Sequence, residues 1–158
     1  MNPQALPFLI SAFFGLVIWG MIALRYIYPN LSNKPLKNAC EPILYLHAFR
    51  YLGLSFIASG VVSSELNTVW AHGAAYGDLT VAILSLLTLA LRKTFFLKTA
   101  LWIFNIIGII DLIRASILGP IYDVPTYLNA TFFIPVFFVP ILFWTHIILF
   151  VLLLRKSK

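Results

Sequence analysis

Residues 69–91 read VWAHGAAYGDLTVAILSLLTLAL, and the nature of the whole molecule turns on this stretch. It exceeds the roughly 20 apolar residues that carry a helix across a bilayer, and Asp78, near its middle, is its one formally charged residue. A helix on the surface of a soluble domain keeps a polar face, and this one has none to offer. A carboxylate at such a depth costs roughly 3 kcal/mol or more, so it must face protein and be paired or used.

Working outward, four more stretches read the same way: Leu6 to Tyr28, Pro42 to Val62, Phe95 to Leu118 and Thr131 to Leu154. Hydrophobic residues make up 61% of the chain and charged residues 10%, with a mean hydropathy of +0.97. Soluble domains carry charges on about a quarter of their residues. The expected fold is therefore all-α: one integral membrane domain over 1–158, with five transmembrane helices. Pro29, Asn30, Ser32, Asn33 and Pro35 suggest a turn-rich loop after the first helix, and Gly119, Pro120 and Pro125 punctuate the loop after the fourth. Met1 to Gln4 hold no Lys or Arg and the first apolar run is longer than a signal-peptide core, which reads as a retained helix.

Charge sets the orientation. Arg25, Lys34, Lys37, Arg92, Lys93, Lys98, Arg155, Lys156 and Lys158 fall on one side of a five-span chain, whereas residues 63–68 and 119–130 hold no Lys or Arg. The positive-inside rule then puts the N-terminus outside and the C-terminus in the cytoplasm. Basic helix ends facing anionic headgroups account for the net charge of +6, with membrane lipids as the partner and no nucleic acid needed. Cys40 is the one cysteine, so no intrachain disulfide forms; it is expected in the cytoplasmic loop as an inert thiol.

The two remaining basic residues, Arg50 and Arg114, lie inside apolar stretches, as do Asp78 and Asp111. At 1.5 Å per residue, His47 lies about 7 Å from the cytoplasmic end, and Arg50 and His146 about 12 Å. Asn105 falls near the midplane. From the outer end, Asp78 is about 15 Å deep, Asp111 about 10 Å, and Arg114 and His72 about 6 Å. These groups form a polar ladder through the membrane. Around Asp78, the residues Ala71, Ala74, Ala82 and Ser85 make a small-residue face, and Gly108, Ala115 and Gly119 do the same near Asp111. Such faces let helices approach closely, so both carboxylates are expected to point at protein. Each aspartate opens an Asp-Leu-x-x-Ala string, a faint echo of an inverted repeat.

His47-Ala-Phe-Arg50-x-x-Gly53, Ala75-Tyr-Gly77-Asp78, Asn105-x-x-Gly108-x-x-Asp111-Leu112 and Pro135-x-x-x-Val139-Pro140 leading to His146 resemble a family of small uncharacterised bacterial multi-span inner-membrane proteins. The resemblance implies a bacterial inner-membrane location and no particular activity.

Three functional readings and one structural reading follow. In the first, Arg50, Asp78, Asn105, Asp111, Arg114, His146 and His72 line a path for protons, an ion or a small solute. Five helices are few for a complete carrier, so a homo-oligomer or a partner membrane subunit is expected. In the second, His47 and His146 hold a b-type haem or a metal ion, with Arg50 near a propionate. In the third, the chain is an assembly or lipid-binding subunit, with Trp70, Tyr122 and Tyr127 anchoring it at the outer interface. The structural reading pairs Arg50 with Asp78 and Asp111 with Arg114, two positive and two negative charges that cancel. No P-loop, nucleophile elbow or zinc-hydrolase string is present, which weighs against an enzyme.

Overall fold

A computed structural model describes residues 5–155. Among them the secondary structure is all helical, and four helices are long and apolar enough to cross a membrane: Ala5–Ser32, Thr68–Lys93, Leu97–Ile121 and Asn129–Leu154. Lys156 and Lys158, part of the basic C-terminal end, lie outside the described residues. We name the helices α1 (Ala5–Ser32, with a π turn over Ala23–Ile27), α2 (Leu36–Ala48), α3 (Thr68–Ala90), α4 (Leu97–Ile121) and α5 (Val139–Leu154).

The second apolar stretch differs most from its sequence expectation. It does not begin at Pro42. Helix α2 starts six residues earlier, behind Pro35, and passes through Pro42. Lys37, Asn38 and Glu41, ahead of the expected start, sit on the outer side of a helix that buries Ala39, Cys40, Ile43, Leu44 and His47. Cys40 is thus a core thiol rather than a loop one. Helix α1 likewise continues through Pro29 to Ser32, with the π turn over Ala23–Ile27 just ahead of the proline, which has no N–H to give an α ladder. The turn is left with Asn33, Lys34 and Pro35.

At Phe49 the chain tightens from α into a 3-10 helix that runs to Ile57. The buried positions there are Arg50, Gly53 and Phe56, three residues apart. A 3-10 helix has 3.0 residues per turn, so residues at that spacing eclipse one another on a single face. His47 belongs to the same series. The 3-10 helix therefore points an arginine and a glycine at α3, while His47, one turn earlier at the end of α2, points at α5.

Contacts at the two ends of the bundle fix the antiparallel order. At one end Arg92 pairs with Glu41, and the Arg155 guanidinium donates to the Ser32 carbonyl at 3.0 Å and the Tyr28 hydroxyl at 2.7 Å. At the other, the Ser63 N–H donates to the Tyr127 carbonyl at 3.0 Å, joining the connections before α3 and after α4. Phe56, Leu66, Trp70, Val124 and Leu128 close that end as an apolar cap. Trp70 is buried there, and its indole N–H donates to the Ala115 carbonyl at 3.0 Å, so it ties α3 to α4 rather than facing an interface.

Helix α1 lies on the outside of the bundle against α5 and leaves most of its side chains exposed. Two glycines make that approach possible. A Cβ at Gly15 would strike the Val136 carbonyl, and one at Gly20 would press on the Trp144 ring. Before α5 the chain takes a π turn over Ile134–Phe138, which contains Pro135 and is followed by Pro140. Proline lacks the N–H that an α ladder needs, and the wider turn absorbs the break.

Candidate functional site

The residues that look most out of place in the sequence converge on one point. The Arg50 side chain is wholly buried, and its guanidinium reaches two other helices. Nε donates to Asp78 Oδ1 of α3 at 2.6 Å, Nη2 to Asp111 Oδ2 of α4 at 2.5 Å, and Nη1 to the Gly108 carbonyl of α4 at 3.2 Å. Only a guanidinium offers donors fanned widely enough to bridge these three acceptors. The structural pairing of Arg50 with Asp78 is present, and Asp111 joins the same arginine instead of Arg114. Two aspartates that open the same Asp-Leu-x-x-Ala string thus meet on one cation.

Glycines make room for this cluster. A Cβ at Gly53 would overlap the Asp78 carboxylate, one at Gly77 the Asp111 carboxylate, one at Gly73 the Arg114 guanidinium, and one at Gly108 the His146 ring. Each polar side chain therefore lies in a notch cut into the neighbouring helix. For Asp78 and Asp111 the cost of burial is offset by direct hydrogen bonds from Arg50.

With all three groups ionised, one guanidinium and two carboxylates sum to one negative charge. Their surroundings are unequal: Arg50 is sealed, whereas the side chains of Asp78 and Asp111 keep 12% and 13% of their surface exposed. That exposure opens onto a cavity of about 260 Å³ at the capped end of the bundle, with both carboxylates in its lining. Phe8 of α1, Phe56, Trp70 and Phe143 of α5 form much of its apolar wall, together with Pro135 and Pro140. The proline-broken start of α5 is thus a cavity wall.

A second polar cluster lies behind Arg50. Thr145 Oγ1 donates its proton to the Ile141 or Leu142 carbonyl, at 2.9 and 3.0 Å, so it accepts from His47 Nε2–H at 2.9 Å. Asn105 Nδ2 donates to the His146 carbonyl at 3.3 Å, which leaves its Oδ1 to accept from His146 Nδ1–H at 2.7 Å. Both imidazoles are then neutral tautomers with one bare nitrogen each. Those atoms, His47 Nδ1 and His146 Nε2, are buried and have no partner. The two rings stand 4.3 Å apart, with Phe104 packed against both.

This spacing bears on a haem held between the two rings. Two axial imidazoles with metal bonds of about 2 Å each, one on either side of a porphyrin plane, need ring centres roughly 6 Å apart. At 4.3 Å no macrocycle fits between them. Among the described residues no set of three His, Cys, Asp or Glu side chains is grouped to hold a metal ion.

Thr145 has a further role that its sequence position did not suggest. Besides holding His47, it lines a second cavity of about 370 Å³ at the opposite end, together with Tyr26, Asn30, Lys34 and Leu46. The side chains of Asp111, Arg50, His146, His47 and Thr145, with the Gly108 backbone between Arg50 and His146, thus run between two cavities. His72 and Arg114 stand apart from this series. Both are exposed; the His72 ring lies beside Tyr76, and the Arg114 head lies over Gly73.

Neither the curated proteins nor the solved structures contain a match to the chain. Residues 7–154 match the model of a family described as a domain of unknown function, DUF8737, and the chain belongs to that family.

Proposed function

We propose that the chain is an integral protein of a bacterial inner membrane, with five spans, its N-terminus outside and its C-terminus in the cytoplasm, and that it moves protons in exchange for or together with a small solute. The fifth span in this reading is Leu36–Ile57. Its thirteen α and nine 3-10 residues reach about 37 Å, enough for a hydrocarbon core of about 30 Å.

The observation that carries the reading is the bridge of Arg50 between Asp78 and Asp111, with the carboxylates, and not the arginine, facing a cavity. Pure stabilisation explains this poorly, since apolar residues of the same volume often serve a fold as well or better. An excess carboxylate beside one fixed cation has instead a natural use. It takes up a proton or a cation and becomes neutral, then gives it up.

Protons delivered to that pair need a way on, and the histidines supply one. A neutral imidazole accepts a proton at its bare nitrogen. His146 must give it up again from that same Nε2, since its Nδ1–H is held by the Asn105 amide oxygen. His47 can accept at Nδ1 and release from Nε2–H to Thr145. His146 and His47 lie behind the Gly108 carbonyl that Arg50 holds, and Thr145 leads from His47 to the cytoplasmic cavity. The guanidinium itself stays charged and serves as a fixed counter-ion. A homo-oligomer or partner subunit fits the broad apolar face that α1 leaves uncovered.

Reconstitution tests this. Proteoliposomes with a pH-sensitive dye inside should show proton movement under an imposed potential or an imposed gradient of one of a panel of small solutes, and Asp78→Asn should lower it to the level of empty vesicles. Equal, background-level signals for the wild type and the variant would remove the reading.

A further inference from the structure

The cavity that exposes Asp78 and Asp111 has the chemistry of a ligand site, and we propose that it binds a small hydrophobic monocation that competes with a proton for the carboxylate pair. The inference rests on the reading of that pair as the functional site and adds the class of ligand.

Size comes first. An apolar cavity of about 150 Å³ accepts benzene, so about 260 Å³ has room for an aromatic ring with a compact charged group attached. The walls select next. Phe8, Phe56, Trp70 and Phe143 present aromatic surface, which attracts cations through the ring quadrupole as well as burying apolar atoms. Aromatic walls disfavour a strongly hydrated ion such as sodium, whose shell they cannot replace.

Charge selects last. The ionisable groups on the lining are Asp78 of α3 and Asp111 of α4. Arg50, on the 3-10 segment, stands behind both and offsets one of them. His146 and His47 lie further behind, and the lining residues from α1, α5 and the capping loops carry no ionisable side chain. Arg114 is one turn outward from Asp111, exposed and off the lining. An anion would meet two carboxylates, and a neutral guest would leave one excess negative charge in an apolar cavity. A single positive charge on an apolar body satisfies both the wall and the floor.

The probe is benzyltrimethylammonium, measured by equilibrium dialysis against the full chain in nanodiscs. Neopentylbenzene, in which carbon replaces the quaternary nitrogen, is the neutral control. Saturable binding of the cation is expected, with the neutral compound at least tenfold weaker as a competitor. Cation binding should weaken as pH falls, and in unbuffered solution binding should release up to one proton per chain. Asp111→Asn should weaken it at least tenfold. Ala12→Trp, which fills the cavity from the exposed helix α1 and leaves the carboxylates untouched, should do the same and guards against a misfolded aspartate variant.

Equal competition by neopentylbenzene, pH-independent binding, or no saturable binding by a folded wild type would overturn the proposal. Proton flux in reconstituted vesicles separates it from the functional reading. Flux without cation binding ends the ligand assignment alone, whereas cation binding without flux upholds the ligand assignment and ends the transport reading.

Discussion

The Asp78 carboxylate occupies the space that a side chain at Gly53 would need. The 3-10 helix that carries Gly53 also carries Arg50, one turn earlier, and so holds both the partner of Asp78 and the notch that admits it. Gly53→Ala should push the carboxylate off the guanidinium and destabilise the fold by about 1–3 kcal/mol, the usual cost of overpacking. Gly60→Ala is the comparison. Gly60 has φ +78 and open space around it, so only backbone strain of about 1 kcal/mol is added there. Thermal unfolding in detergent should rank Gly53→Ala below Gly60→Ala, and the reverse order would show that the notch is not tight.

Removing Arg50 leaves two carboxylates facing each other without a counter-ion. Arg50→Gln should therefore cost about 3–5 kcal/mol, the range for breaking a buried pair. Adding Asp78→Asn to that variant should recover part of the loss, because it removes the stranded charge. Arg50→Lys should not restore the wild type, since an ammonium cannot span both carboxylates and the Gly108 carbonyl at once. Chemical denaturation of the single and double variants measures this coupling, and simple additivity would contradict it.

The histidines separate the relay from the site. His47→Phe keeps a ring beside Phe104 and Thr145 but has no nitrogen to carry a proton. Proton flux should fall at least tenfold, while binding of benzyltrimethylammonium at the cavity of Asp78 and Asp111 should change less than twofold. Equal losses in both measurements would mean that His47 shapes the site rather than serving the route.

Labelling tests the topology. Cys40 is fully buried, so a membrane-permeant maleimide should modify it only after unfolding. In a Cys40→Ala background, a cysteine introduced at the exposed Lys34 should react only with reagent inside the cell, and one at the exposed Ser64 only with reagent outside. Labelling of both from one side would contradict the five-span arrangement, because the chain between them would not cross.

Much of the fold is legible in the sequence, for a simple reason. Apolar length survives any error of phase, so the helices before residue 32 and after residue 68 are found within a few residues. The stretch from 36 to 57 is not, because its period changes. Ala39, Cys40, Ile43, Leu44 and His47 follow an α repeat, then Arg50, Gly53 and Phe56 follow a repeat of three. A search for one helical period finds the first half polar and the second featureless. Reading Arg50, Gly53 and Phe56 as one eclipsed face would have located the 3-10 helix.

The candidate site is legible in part. Burial cost alone singles out Arg50, Asp78 and Asp111, and small residues around them point inward. What stays hidden is who pairs with whom. Asp111 and Arg114 are neighbours on the helix surface, about 60° and one turn apart, yet Asp111 reaches Arg50 while the exposed Arg114 lies one turn outward over Gly73. The apparent neutrality of two positive and two negative charges thereby becomes an inner cluster with one negative charge in excess. Thr145 escapes notice because a hydroxyl in an apolar helix is commonplace; its place beside His146 was the one available hint.

Proton uptake into proteoliposomes, driven by an imposed potential or solute gradient, bears most directly on whether the carboxylate pair is a working site. The wild type should exceed empty vesicles severalfold, Asp78→Asn should fall to their level, and Arg114→Gln, outside the buried cluster, should stay within about twofold of the wild type. Wild-type uptake no faster than that of empty vesicles, or full activity in Asp78→Asn, would reduce the Arg50 bridge to a structural ion pair.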